Sequence, residues 1–211
     1  MRRVQNGRMS EAEQHATVAF LSRLAEAHLT THASHVFLTG DRALKLKRAV
    51  KYAYLDFSTP ALRRTACETE LALNRRTAPA LYLGVKAVTR AADGTLALGG
   101  TGEAVDWLVE MRRFPDDALF THLAERGRLA PDLLRRLADN IAAFHRAAEP
   151  TPDFGGIPGI DQVIAINSES LRRDGPPAIP VEAADRLAET ARAARDRHAA
   201  LLERRRAAGK V

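Results

Sequence analysis

Apolar residues change their spacing twice along this chain, and the changes mark out its elements. Val18, Leu21, Leu24 and Ala25 recur at helical intervals, as one buried helix face requires. Ser10-Glu11-Ala12-Glu13 before them has the form of a capping box, so a helix is predicted to run to about Ala27. His35-Val36-Phe37-Leu38-Thr39 is a β-rich run, Gly40-Asp41-Arg42 supplies turn chemistry, and Ala43 to Val50 alternates. These three predict a hairpin. Ser58-Thr59-Pro60 offers a hydroxyl cap and a first-turn proline, opening a helix that carries Leu62, Ala66, Leu71 and Leu73 and ends near Ala78-Pro79. Leu81 to Thr89 reads as a strand, Asp93-Gly94 as a hairpin turn, Leu96-Ala97-Leu98 as its return, and Val105 to Met111 as a central strand.

After Arg113 the period is helical. Ala118 to Arg126 is one helix, stopped by Gly127, and Pro131 opens another with Leu134, Leu137, Ile141 and Phe144 on one face. Thr151 to Gly159 is rich in Pro and Gly and is expected to be loop. Ile160 to Arg172 is a weaker helix, Asp174-Gly175-Pro176-Pro177 breaks it, and Glu182 to Ala207 reads as one long helix. The expected organisation is an N-terminal helix (1–27), a β-rich lobe with one internal helix (28–114) and a helical part (115–211). The join falls at 110–114, and the fold class is α+β.

Composition narrows the function classes. The 211 residues carry a net charge of +6, which permits phosphate or nucleic-acid binding without demanding it. Arginines cluster at Arg63-Arg64, Arg75-Arg76, Arg135-Arg136 and Arg204-Arg205-Arg206 without interleaved aromatic residues. Single-strand binding would need such stacking platforms, and solvated helix faces account for most of these clusters. One cysteine, Cys67, excludes an intramolecular disulfide and fits a reducing cytoplasm; on its helix it reads as a small buried hydrophobe. No run approaches the roughly 18 apolar residues of a membrane span. Met1-Arg2-Arg3 has no apolar core after it, so it is not a signal peptide.

The chemistry-bearing feature is Ala43-Leu44-Lys45-Leu46-Lys47 together with Glu70. Side chains alternate on a strand, so Ala43, Lys45 and Lys47 share a face. In kinases such a face looks at the nucleotide: the small residue leaves room for adenine and the lysine neutralises phosphates. The lysine needs an anion from the following helix. Glu70 is preferred and Glu68 competes; two residues apart, they cannot both face one lysine. Gly99-Gly100-Thr101-Gly102 lacks the Lys-Ser/Thr of a P-loop and reads as a hairpin loop. Asp153-Phe154-Gly155 spells a kinase metal triplet but lies in a Pro/Gly loop with no catalytic loop before it, and His145-Arg146-Ala147 has alanine at the catalytic aspartate position. His32 and His35 lack a nearby third metal ligand. Leu38, Leu81, Val109, Trp107 and Phe114 read as core.

Three stretches carry a family resemblance: Thr31 to Lys47, Cys67 to Val85 (with Glu70-Leu71-Ala72-Leu73-Asn74-Arg75-Arg76) and Val105 to Phe114. They resemble the amino-terminal lobe of bacterial aminoglycoside-phosphotransferase-like proteins, most of all the subgroup fused to a carboxy-terminal P-loop ATPase domain. The resemblance implies a protein-kinase-like fold with a complete small lobe and an incomplete helical lobe. It implies ATP as ligand, and a small hydroxylated molecule as phosphoryl acceptor. It implies Lys45 and Ala43 at the nucleotide, Glu70 holding Lys45, Ser34 in the loop where phosphates lie, and Glu110 and Met111 at the hinge where backbone groups hold adenine. Catalysis in the family uses a His-Gly-Asp loop ending in Asn and a later Asp for Mg²⁺. Neither occurs in this sequence, so Mg²⁺ is expected only in the full-length context, and the chain alone is expected to bind ATP without turnover. Three explanations compete: a fragment or truncated product, a short protein that binds nucleotide without catalysis, or a basic module for nucleic acid or a protein partner such as a separate ATPase. Glu189, Asp196 and Glu203 among the last helix's arginines weaken the nucleic-acid reading.

Overall fold

The computed structural model describes residues 11–52 and 54–210, with side chains from Gln14 onward. The capping box at Ser10 to Glu13 therefore lies outside the described side chains. The fold is mixed α+β, a curled antiparallel sheet with seven α-helices among the described residues. The chain divides into two compact units, one up to Leu137 and one from Ala138. The first unit thus includes the N-terminal helix and extends past the expected join at 110–114.

Helix α1 (Glu11–Leu24) leads into the edge strand β1 (Ala27–Thr30), followed by β2 (Ser34–Thr39) and β3 (Arg42–Lys47). A two-residue hairpin, β4 (Lys51–Tyr52) and β5 (Leu55–Asp56), precedes helix α2 (Pro60–Arg75). Strands β6 (Tyr82–Arg90), β7 (Leu96–Leu98) and β8 (Glu103–Arg112) complete the sheet in the order β1-β2-β3-β8-β6-β7. β8 lies centrally, with Lys45 opposite Val109 on one side and Val85 opposite Val109 on the other.

Pleating sorts the residues onto two faces. Phe37, Leu44, Leu46, Val88 and Leu108 form one buried cluster with Leu21 of α1. Ala43, Lys45, Lys47 and Val109 therefore lie on the opposite face, which α2 covers: the Cys67 thiol donates to the Trp107 carbonyl there (3.7 Å). This is a three-layer unit, helix on sheet on helix. α2 begins as expected, with Thr59 accepting from the Leu62 amide (3.2 Å) and Pro60 in the first turn. Its sheet-facing side differs from the apolar pattern. Arg63 and Cys67 are buried, whereas Leu62 and Leu73 are exposed.

At Gly40 (φ 52°) and Gly94 (φ 86°) the tight turns need the left-handed region that glycine enters freely. Gly102, in the loop between β7 and β8, packs against the Arg90 backbone so closely that a Cβ would lie 2.2 Å from its carbonyl oxygen.

A 3-10 turn (Asp116–Ala118) and the short helix α3 (Phe120–Glu125) follow the sheet, and α4 (Pro131–Ala147) runs across the boundary between units. The second unit holds α5 (Gly156–Asp174), α6 (Val181–Arg197) and α7 (Ala199–Ala207). Arg195 pairs with Asp161, and Arg172 Nε with Asp185 at 2.6 Å, so numbering rises along α5 as it falls along α6 and the two helices are antiparallel. α5 starts earlier than expected: Gly156 to Gly159 are helical, and Pro158 is tolerated because first-turn amides have no helical partner. The expected helix from Glu182 to Ala207 is instead two, interrupted at His198. The Glu203 carboxylate of α7 accepts from the Ile157 amide at the start of α5 (2.9 Å), a favourable place for a negative charge.

Candidate functional site

A cleft of about 680 Å³ opens on the sheet face that carries Ala43, Lys45 and Lys47. β2 contributes Ser34, Val36 and Leu38, β8 contributes Met111, and Leu81, Phe114 and Leu119 close the apolar wall. The strand period puts these residues together: positions 34, 36 and 38 face 47, 45 and 43 across the β2–β3 ladder.

At one end of the cleft the lysines meet α2. Lys45 Nζ donates to Glu70 Oε1 at 2.9 Å, and Lys47 Nζ donates to Glu70 Oε2. Lys47 also lies over the Phe57 ring, 5.4 Å from its centre. Burial raises the Glu70 pKa, but hydrogen bonds from Lys47 and Lys45 outweigh it and hold the carboxyl below its ordinary value of 4.5. Two cations thus share one anion, leaving one positive charge on the cleft. Lys45, with a side chain 30% exposed, is the more accessible of the two; Lys47 is 9% exposed. Glu68 points elsewhere and pairs with Arg64 (2.8 Å).

The turn joining β1 to β2 forms the rim. Thr31 N–H donates to the Ser34 carbonyl (2.8 Å), and Ser34 N–H to Thr31 Oγ1 (3.0 Å). Arg48 Nη1 donates to the carbonyls of Thr31 and His32, and the Tyr52 hydroxyl to that of His32. Ser34 is buried at the start of β2 and lines the cleft.

The two expected hinge residues fall on opposite faces. Met111 lines the cleft, whereas the Glu110 carboxylate faces away and takes Lys86 Nζ at 2.8 Å. Both lie inside β8, paired with Leu44 and Ala43 on one side and with Gly84 and Tyr82 on the other. Their backbone groups therefore sit within the sheet, and β8 ends only at Arg112. The first backbone beyond it is tied too, with Arg113 N–H donating to the Asp41 carbonyl (2.8 Å). Leu38, Leu81 and Phe114, read from the sequence as core, line the cleft instead; Val109 is fully buried. Trp107 is half-buried beneath the Arg64 guanidinium, 4.5 Å away. His32 borders the cleft, while His35 lies on the other face against His28 (3.0 Å).

Sequence reasoning did not single out Arg63, Asp106 or Gln14. All three are buried, and Asp106 receives Arg63 Nε at 2.7 Å and Gln14 Nε2 at 2.7 Å. The one available signal was Asp106, a charged residue set between the apolar Val105 and Trp107 in the central strand.

Among the described residues, no three His, Cys, Asp or Glu side chains stand together as a metal set. No described helix is long and apolar enough to cross a membrane. No family model and no solved structure matches the chain. Uncharacterized proteins of Mycobacterium bovis (strain ATCC BAA-935 / AF2122/97) and of Mycobacterium tuberculosis strains CDC 1551 and H37Rv are each 34% identical to it over 119 residues. The match covers 56% of this chain and 22% of each relative, so the chain spans only a small part of the length of the curated relatives it matches.

Proposed function

We propose that the sheet-bearing unit is the nucleotide-binding lobe of an ATP-dependent phosphotransferase of the aminoglycoside-phosphotransferase-like, protein-kinase-like type. The observation that carries the reading is the 2.9 Å pairing of Lys45 on β3 with Glu70 on α2 at the end of an apolar cleft. A base needs an apolar slot, and Val36, Leu38, Ala43, Leu81 and Met111 supply one. Phosphates need a held cation, and Lys45 is held by Glu70. The cleft volume lies within the roughly 300–1,000 Å³ usual for small-molecule sites.

In this reading Lys45 meets the phosphates, Glu70 fixes the Lys45 ammonium, and Ser34 with the Thr31–Ala33 turn borders the phosphate end. Adenine is held by apolar contact and by cleft-edge groups near Met111 rather than by the Glu110 backbone. Among the described residues no three His, Cys, Asp or Glu side chains stand together, and no step is assigned to a metal. This sequence contains no His-Gly-Asp, and the chain binds ATP without turning it over. The acceptor is a small hydroxylated molecule, and the partner is a C-terminal P-loop ATPase domain or a separate ATPase.

Calorimetric titration with ATP·Mg²⁺ tests the proposal. The chain binds, and Lys45→Met weakens binding about tenfold to a hundredfold, the scale of one lost charge-assisted hydrogen bond. A folded wild-type chain that takes up no ATP would sink the proposal. Several helical arginines, Arg172, Arg195 and Arg206 among them, are already paired with carboxylates, which weighs against the nucleic-acid alternative.

A further inference from the structure

Behind the lysine–glutamate pair lies a buried polar ring that the nucleotide reading does not require. Arg63 of α2 donates through Nε to Asp106 of β8 (2.7 Å) and through Nη1 to the Phe57 carbonyl (2.8 Å). The other Asp106 oxygen accepts from Gln14 of α1 (2.7 Å). Gln14 Nε2 also donates to the Lys47 carbonyl (2.8 Å), and its Oε1 accepts from the Ala49 amide (2.9 Å). Lys47 then returns to α2 through its ammonium on Glu70. The ring thus runs from α2 to β8, α1 and β3, then back to α2.

Stability is a poor reason for this arrangement. Replacing a buried ion pair with apolar groups of the same volume is commonly neutral or better. Position is a better reason. Arg63 and Glu70 are seven residues apart, so they share a helix face about 10 Å apart along the axis. Two polar tethers two turns apart prevent α2 from rolling or sliding over the sheet. Gln14 makes the same register obligatory for β3, because its amide reads a carbonyl and an N–H at the end of that strand as well as Asp106.

We infer that Gln14, Asp106 and Arg63 are positioning residues that lock α2 against β3, so that Glu70 holds Lys45 in its phosphate-facing position before any ligand arrives. The effect on affinity rests on the nucleotide reading; the effect on the lysines does not.

The experiment therefore has two readouts on Gln14→Met. The first is acetylation of individual lysines by an amine-reactive ester, followed by mass spectrometry without nucleotide. Labelling of Lys45 and Lys47 rises, while that of Lys51 and Lys86 stays at the wild-type rate. The second is ATP affinity. It weakens about tenfold, the scale of one misplaced charge-assisted hydrogen bond, and that loss disappears when Lys45→Met is already present. A merely structural role would lower the melting temperature and weaken ATP binding equally in both backgrounds, which overturns the inference. So does unchanged labelling of Lys45 and Lys47 in folded Gln14→Met. The double variant Arg63→Met/Asp106→Leu removes the tethers while keeping the interior neutral and filled, and the same labelling outcomes decide the question there. If the wild type takes up no ATP, the nucleotide reading falls and the labelling alone decides the positioning role.

Discussion

The two units are built on different principles. In the sheet unit Leu21, Phe37, Leu46, Val88, Leu108 and Val109 are completely excluded from solvent. Among the described residues of the helical unit the buried apolar side chains are Ile164, Ala184 and Ala188, and Leu187 and Val163 are more than half exposed. Its helices α5 and α6 are joined by ion pairs, Arg172–Asp185 and Arg195–Asp161. Exposed pairs of this kind contribute little, about 0–1 kcal/mol at most in general. One unit closes over large interlocking side chains, whereas the other depends on alanine-rich helices that are good formers in their own right. The cleft and its charged residues belong to the first. A lysine can be held in one place only where the backbone beneath it is itself fixed by packing.

Asp106→Ala is the harshest test of that contrast. It leaves the Arg63 charge buried without its carboxylate, so the sheet unit should lose about 3–5 kcal/mol. Urea unfolding followed by the fluorescence of Trp107, the single tryptophan, reads that unit by itself. Far-ultraviolet dichroism at the helix band would move less, and coincident shifts in both signals would show that the units unfold together. Ile164→Ala removes the largest buried side chain of the helical unit. A loss of about 2 kcal/mol is expected there, at the low end for such truncations because the side chain is not completely enclosed. The tryptophan transition should stay in place.

A smaller effect sharpens the electrostatic side. The Glu70 carboxyl has a lowered pKa in the folded chain. Its contribution is fully present above the unfolded value of about 4.5 and is lost as pH falls through the lower folded value. Glu70→Gln should cost about 1–2 kcal/mol at neutral pH and flatten this part of the acid limb of stability. A mutant whose acid limb matched the wild type would show that the pairing carries no folding energy. Smallest of all, Leu187→Gln at an exposed position of α6 should change stability by less than about 0.5 kcal/mol in urea unfolding.

Local signals were strong where they were covalent or periodic. The Thr59-Pro60 start of α2, the turns at Gly40 and Gly94 and the central strand β8 could all be read from residue type alone. So could the shared face of Ala43, Lys45 and Lys47, because a strand has no other way to place alternate residues. β1 left no such trace: all four of its residues are exposed, so no alternation betrays it. The break at His198 has neither glycine nor proline to mark it. α2 misled in a more instructive way. Its leucines suggested the buried side, but that side is Arg63, Cys67 and Glu70, since the helix packs through polar tethers as well as apolar contact. At the expected hinge, β8 continues two residues past Glu110, and its pleat sends that carboxylate to the far face while Met111 stays in the cleft.

Cys67 turns this packing into a clock. It is the chain's one cysteine, fully buried under α2 on the Trp107 carbonyl, and burial pushes its thiol up to about 12. In that state a thiol reagent finds neither access nor thiolate. Each modification event therefore records one lifting of α2 from the sheet, and the modification rate at saturating reagent is the frequency with which the helix comes away.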